Sequence, residues 1–401
     1  MRNRIYSLTE VTMRRFLNAL ILPAILLSFS GSPAFAAGGN IHFGALEVHP
    51  FASVKETWSD NIYSTPSGTT ESDRISTYIP GVRFLLPFGM HKADLQYFAV
   101  INNYRDHAGE NTADHNARGM VDLNFGSRFG LSLSDAYQKG HEPRSSSATG
   151  FIEKFTTNGA KASLSYQLAD LSKVQLDYTH TTWTFKQSTF RDRDEDLAAA
   201  YLYYRFLPKT SAFVEFDYAN VDFSEVTTPL DNKVTSALAG VTWEITDRSK
   251  GTVKAGRMWK DFKASDQPDT NAWTASADVS HKFTDYSSIM IVGQRTINET
   301  NFLGTSYYVT TGAYAEFTHR FGVRFAGVVR GSRGEDRFSN ATAAGEPVRH
   351  DTTVMTGLGL KYTMKEWLEF GADFNYRDRD SNINANDFRE HQYVVSASVS
   401  L

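Results

Sequence analysis

From about residue 44 onward, apolar and polar residues alternate in short segments, joined in turn by a tight turn and a longer polar loop. Ala160, Ala162, Leu164, Tyr166 and Leu168 share one side of their segment, and Lys161, Ser163, Ser165 and Gln167 share the other. Ala212, Val214, Phe216 and Tyr218 oppose Phe213, Glu215 and Asp217 in the same way. The last segment sets Tyr393, Val395, Ala397, Val399 and Leu401 against Ser396, Ser398 and Ser400. A period of two is the pleat of a β-strand with one dry face and one wet face.

Tight turns centre near Phe88, Ser127, Asp170, Pro208, Arg248, Thr284, Phe321 and Lys365. The longer loops fall near residues 60–73, 105–115, 140–153, 187–194, 224–232, 263–270, 299–306, 337–350 and 378–387. Eight turns and nine loops make 17 connections and so 18 strands, with both chain ends on the turn side. Carboxylates and amides are costly against hydrocarbon, so the apolar face points outward to lipid and the polar face inward. The pattern predicts an all-β fold: a transmembrane, antiparallel, up-and-down β-barrel of about 18 strands around a lumen too wide for side chains to fill. Pro50 interrupts the first strand, which predicts a bulge or a position near the strand's start. Ser288–Val292 is apolar on both faces. Aromatic residues near segment ends (Trp58 and Tyr63, Trp183 and Phe185, Trp259 and Phe262, Phe283 and Tyr286, Phe321, Trp367) predict two interfacial girdles.

One continuous apolar run, Phe16–Phe29, falls outside this rhythm. It is too short to cross a bilayer as a helix. Arg14 and Arg15 precede it and Ser32-Pro33-Ala34-Phe35-Ala36 follows, the order of a signal peptide cleaved after Ala36 or Ala37. The expected organisation is a leader at 1–36, with translation starting at Met1 or Met13, and one barrel domain at 37–401. Mean hydropathy is −0.38, which a barrel tolerates because its apolar residues are spread over every second position. Losing 1–36 removes four Arg and one Glu, leaving 37 basic against 44 acidic residues, a net of −7. An acidic secreted chain is a poor nucleic-acid partner. The absence of Cys removes disulfides and thiolate metal sites.

The sequence offers no catalytic constellation. The 11 His are scattered, and no HExxH or GxSxG stands in a fitting context. Arg191-Asp192-Arg193-Asp194-Glu195-Asp196 is the densest charge run. Its interleaved Arg and missing Gly argue against a Ca²⁺ loop and for a solvated, self-paired one; Arg377-Asp378-Arg379-Asp380 reads alike. No catalytic residue, cofactor or metal is expected, and the chain is read as a non-enzyme. The candidate functional surface is the lumen. By alternation Tyr201, Tyr203, Arg205, Glu215, Asp217, Glu244, Lys254, Tyr314, Glu316, Lys361, Glu369 and Asp373 face it, with Tyr308 beside them. Fixed charges there bias ion passage, and aromatic faces suit sugar rings.

Trp58-Ser59-Asp60-Asn61-Ile62-Tyr63 after the first strand resembles the opening motif of the Putative beta-barrel porin 2 family. YLYYRFLPKT at Tyr201–Thr210, the strand Val214–Tyr218, Leu238–Trp243 and Lys282–Tyr286 resemble later phrases in the same order, across roughly 45–401. The resemblance implies an outer-membrane barrel, often of 18 strands and frequently associated with extracellular polysaccharide production. It therefore implies a passive export conduit for a polysaccharide, working with a periplasmic export protein. The family has no catalytic residues to carry over. Many barrels end in an aromatic residue read by the barrel-assembly machinery, whereas this chain ends in Leu401. The alternative function is a general diffusion porin for small hydrophilic solutes. Either way the expected location is the bacterial outer membrane, with its lipid and lipopolysaccharide as partners.

Overall fold

The computed structural model describes residues 41–142, 152–225, 230–246, 248–265, 267–300, 302, 304–341, 345 and 347–401. The leader expected at 1–36 lies outside the described residues. Alternating side chains drive strand formation along the whole described chain. A short β1 (Ile41–Phe43) turns back at Gly44, φ 65°, onto β2 (Leu46–Ser59). Then come β3 (Asp73–Phe88), β4 (His91–Tyr104), β5 (Thr112–Phe125), β6 (Phe129–Glu142), β7 (Glu153–Ala169) and β8 (Ser172–Phe185). The next are β9 (Arg193–Leu207), β10 (Thr210–Phe223), β11 (Asn232–Thr246), β12 (Ser249–Phe262), β13 (Thr270–Lys282) and β14 (Ser287–Glu299). The series closes with β15 (Tyr307–Arg320), β16 (Phe325–Phe338), β17 (His350–Lys365), β18 (Leu368–Ser381) and β19 (Phe388–Ser400).

Each strand from β2 to β19 pairs antiparallel with the next, and β19 pairs with β2, Ser400 opposite Phe51 through Gln392 opposite Ser59. The wall is thus a closed barrel of 18 strands, as the turn count predicts. All eight tight turns fall where the sequence sets them. The pairing irregularities at Gln167/Ala169, Thr210/Ser211, Glu244/Thr246 and Thr363/Lys365 sit beside those turns, where strands bend toward closure.

Pro50 stands inside β2 with no bulge. Its carbonyl accepts from the Leu401 amide at 3.1 Å. Its nitrogen faces the same edge, where β19 runs out, so the wall forgoes only a bond to the last residue. β1 occupies the next stretch of that edge, with Ile41 opposite Val48.

One seam is incomplete. β13 and β14 pair from Lys282↔Ser288 only as far as Ala275↔Arg295. Their loop-side ends part: β13 continues along β12 to Thr270 and β14 along β15 to Glu299. The end of β14 leans across β13 toward β12, with the Thr296 hydroxyl 4.0 Å from Met258 Sδ and Glu299 meeting Lys260.

Candidate channel lumen

The two faces of the wall differ in packing. Along β10, Val214 and Phe216 are 55% and 54% exposed, whereas Phe213 and Glu215 keep 3% and 4%. The exposed set is apolar, as a lipid-facing surface must be. The packed set lies on the concave side, where neighbouring side chains crowd together. Tyr201, Tyr203, Arg205, Glu215, Asp217, Glu244, Lys254, Tyr314, Glu316, Lys361, Glu369 and Asp373 all sit on this second face by strand parity.

At mid-height the inward charges form a ring. Asp177, Glu215, Lys254, Arg330 and Asp373 are each the sixth residue of their strand, counted from the turn end. Lys254 Nζ donates to Glu215 Oε1 at 2.5 Å, and Lys161 Nζ meets Asp177 Oδ2 at 2.7 Å. Arg330 bridges two carboxylates, Glu316 at 3.1 Å and Asp373 at 2.8 Å, and the Tyr314 hydroxyl donates to the same Glu316 at 2.8 Å. Lys361 stands 3.9 Å from Glu369. One buried carboxylate oxygen each of Glu215 and Asp217 accepts no hydrogen bond among the described residues. Tyr201 and Tyr203 stack with centroids 6.0 Å apart, and Lys173 lies 4.3 Å over the Tyr203 ring. Arg205, nearer the turn end, donates to the Asp170 carbonyl at 2.5 Å. Glu244 pairs in register with Lys250.

Two of these pairs straddle a strand. Arg330 and Asp373 lie on either side of β17, and Lys254 and Glu215 on either side of β11. Glycine makes both crossings possible. A Cβ at Gly359 would collide with the Asp373 carboxylate, and one at Gly240 would lie 2.8 Å from Lys254 Cβ.

The loop end is far more crowded. Arg191 grips Glu142 through two 2.8 Å bonds and lies 4.0 Å over Phe185. Arg193 binds Glu195 at 2.7 Å over Trp183. Arg349 binds Asp351 over Phe338, and Arg377 binds Glu390 at 3.0 Å over Phe388. Lys260, 1% exposed, meets Glu299, which also accepts from Asn232 at 3.3 Å. Glu153, fully buried, accepts from the amides of Gln187 and Ser188 and from the Ser188 hydroxyl. Tyr308 of β15 lies within Coulombic reach of Arg191, Arg193 and Glu142, although six strands separate β15 from β8. Side chains carried by strands far apart in the wall therefore crowd into the loop end of the enclosed space.

These positions correct two expectations. Arg191 and Arg193 are not in a solvated loop: both are buried, because each finds a carboxylate and an aromatic face inside the mouth. Arg377 and Arg379 likewise cover Phe388. Trp183, Phe185 and Phe262 are not girdle residues. They share inward parity with Asp177, Thr179 and Lys260, and they form the floor beneath those cations. Lys161, Asp177 and Arg330 share this inward face, and the same alternation marks them in the sequence. No group of three metal-ligating side chains comes together among the described residues.

A closed, 18-stranded wall with an apolar outer face and a charged interior defines an outer-membrane, porin-like channel. The chain belongs to the Putative beta-barrel porin 2 family, which matches residues 32–401. Among solved structures it is similar to OccK1 (OpdK) of Pseudomonas aeruginosa, at 12% identity and a TM-score of 0.51, over 88% of this chain and 99% of that one. OccAB4 of Acinetobacter baumannii is similar at 11% identity and a TM-score of 0.48, over 88% and 98%. At such identities the likeness speaks for the fold alone. None of the curated proteins matches the chain.

Proposed function

We propose that the barrel is a passive channel for small hydrophilic solutes, inserted in the outer membrane by the barrel-assembly machinery after a leader at 1–36 has been removed. The solute path is lined by Tyr201, Tyr203, Arg205, Glu215, Asp217, Glu244, Lys254, Tyr314, Glu316, Lys361, Glu369 and Asp373. Both signs of charge stand at mid-height, which screens small ions and dipoles rather than one sign alone. The observation that carries this reading is the loop end crowded with buried ion pairs. Polysaccharide export, which the family resemblance implies, requires a sugar chain to thread that end, where the Arg191–Glu142 and Lys260–Glu299 pairs stand in the way. A conduit of that kind needs its periplasmic partner to open it.

The purified mature chain in planar bilayers separates the two. A steady conductance without any partner, with solute uptake into liposomes falling as solute size rises, is the expected result. A silent barrel, together with polysaccharide trapped inside cells that lack the gene, would overturn it in favour of export.

A further inference from the structure

The ninth residue of each strand that rises from a tight turn faces outward at one common height. In β6, β10 and β18 that residue is Tyr137, Tyr218 and Tyr376, the aromatic girdle of the loop-side interface. In β12, β14 and β16 it is Arg257, Arg295 and Arg333. Over this one sector, cations replace the tyrosines. Among the described residues none of the three has a carboxylate partner. Arg257 donates to the Asn271 side chain, and Arg295 donates to Thr311 at 2.5 Å and lies 4.6 Å over the Trp273 ring. The buried Nε of Arg295 has no acceptor. Trp273 is 54% exposed and borders the notch where β13 and β14 part after Ala275↔Arg295.

Outward arginines beside the membrane favour anionic partners, because the hydrocarbon below them offers neither water nor a counter-charge. The outward arginines Arg74, Arg389 and Arg337 are neutralised, by Glu56, Asp378 and Glu335. Three unneutralised guanidiniums, one stacked on an indole at the lip of a notch, match a phosphorylated sugar headgroup, since guanidinium forks grip phosphate and the indole covers a ring face.

We propose that Arg257, Arg295 and Arg333, with Trp273, form a docking site for the phosphorylated glycolipid of the outer leaflet. The site rests on the outer-membrane reading of the wall and is independent of what crosses the lumen.

The test uses the mature barrel in phosphatidylcholine nanodiscs containing a small fraction of bisphosphorylated lipid A, or the same glycolipid without phosphates, with bound lipids counted by native mass spectrometry. Wild type should retain the phosphorylated form about tenfold over the other, the scale of one or two charge-assisted contacts. The triple variant Arg257→Tyr, Arg295→Tyr, Arg333→Tyr restores the girdle residue and should lose the preference, while the triple Lys variant keeps most of it. If the Tyr variant does not fold, Arg295→Gln with Arg333→Gln carries the same expectation. Equal retention of both lipids by wild type, an unchanged preference in the Tyr variant, or displacement by inorganic phosphate alone would each overturn the proposal, the last by pointing to free phosphate. Conductance recorded on the same proteins should be unchanged, so a failed channel reading would show separately.

Discussion

Removing the Lys260 ammonium should loosen the mouth of the barrel without unfolding its wall. Lys260 is 1% exposed and meets Glu299, with Glu195 and Arg193 in Coulombic reach. Lys260→Ala leaves Glu299, among the described residues, with the Asn232 amide at 3.3 to 3.4 Å. Breaking a buried pair from one side costs about 3–5 kcal/mol. Arg193 still holds Glu195, which places this case near the low end, about 3 kcal/mol. At 1.4 kcal/mol per decade, amide exchange at Glu299, Thr300 and 304–308 should quicken by about a hundredfold or more, while β2–β5 keeps its protection. On the proposed solute path, open-channel conductance should rise in the same variant, because the pair stands in the crowded mouth. The double variant Lys260→Met, Glu299→Met removes both charges and should return to within about 1 kcal/mol of wild type, since apolar replacement of a whole buried pair is close to neutral. Exchange and conductance that do not change in Lys260→Ala, or a double variant as loose as the single, would refute this account of the mouth.

Other predictions address the ring and the loops. Gly359→Ala pushes the Asp373 carboxylate off Arg330; reversal potentials under a salt gradient should shift, and an unchanged selectivity would count against a mid-height filter. Arg330→Gln strands Glu316 and Asp373 together and should raise cation preference in the same recording, the larger effect of the two. Burial lifts the Asp192 carboxyl above its ordinary range, the Phe185 amide pulls it back in part, and the Glu153 charge adds to the rise. The raised value favours the neutral acid in the folded loop. That stabilisation is complete below the ordinary carboxylate range and is lost as pH rises through the folded value. Exchange protection of Gln187–Arg191, corrected for intrinsic rates, should fall over that window in wild type and stay flat in Asp192→Asn.

The strand count and every tight turn were legible because a membrane wall imposes one alternation along each strand: one parity meets lipid and is mostly apolar, the other faces the interior and carries most of the charge. The same rule held the answer for Trp183 and Phe185. Their place near a segment end suggested a girdle, but their parity with Asp177 and Thr179 set them inside. The Arg191–Glu142 pair was out of reach of sequence, because its partners are joined by register and loop path rather than by spacing. Nothing in the sequence singles out Gly359. Only the pairing of three strands shows that it clears the way for an ion pair over β17.

The seam between β2 and β19 has a practical corollary for anyone handling this protein. Phe51 faces Ser400 and the Pro50 carbonyl takes the Leu401 amide, but three residues further along the same edge β1 already occupies Val48. An affinity tag fused after Leu401 would therefore have to peel β1 away or veer out of the sheet. A tag carried on a tight turn such as Gly89–Met90 meets no such obstacle and leaves the closing seam alone.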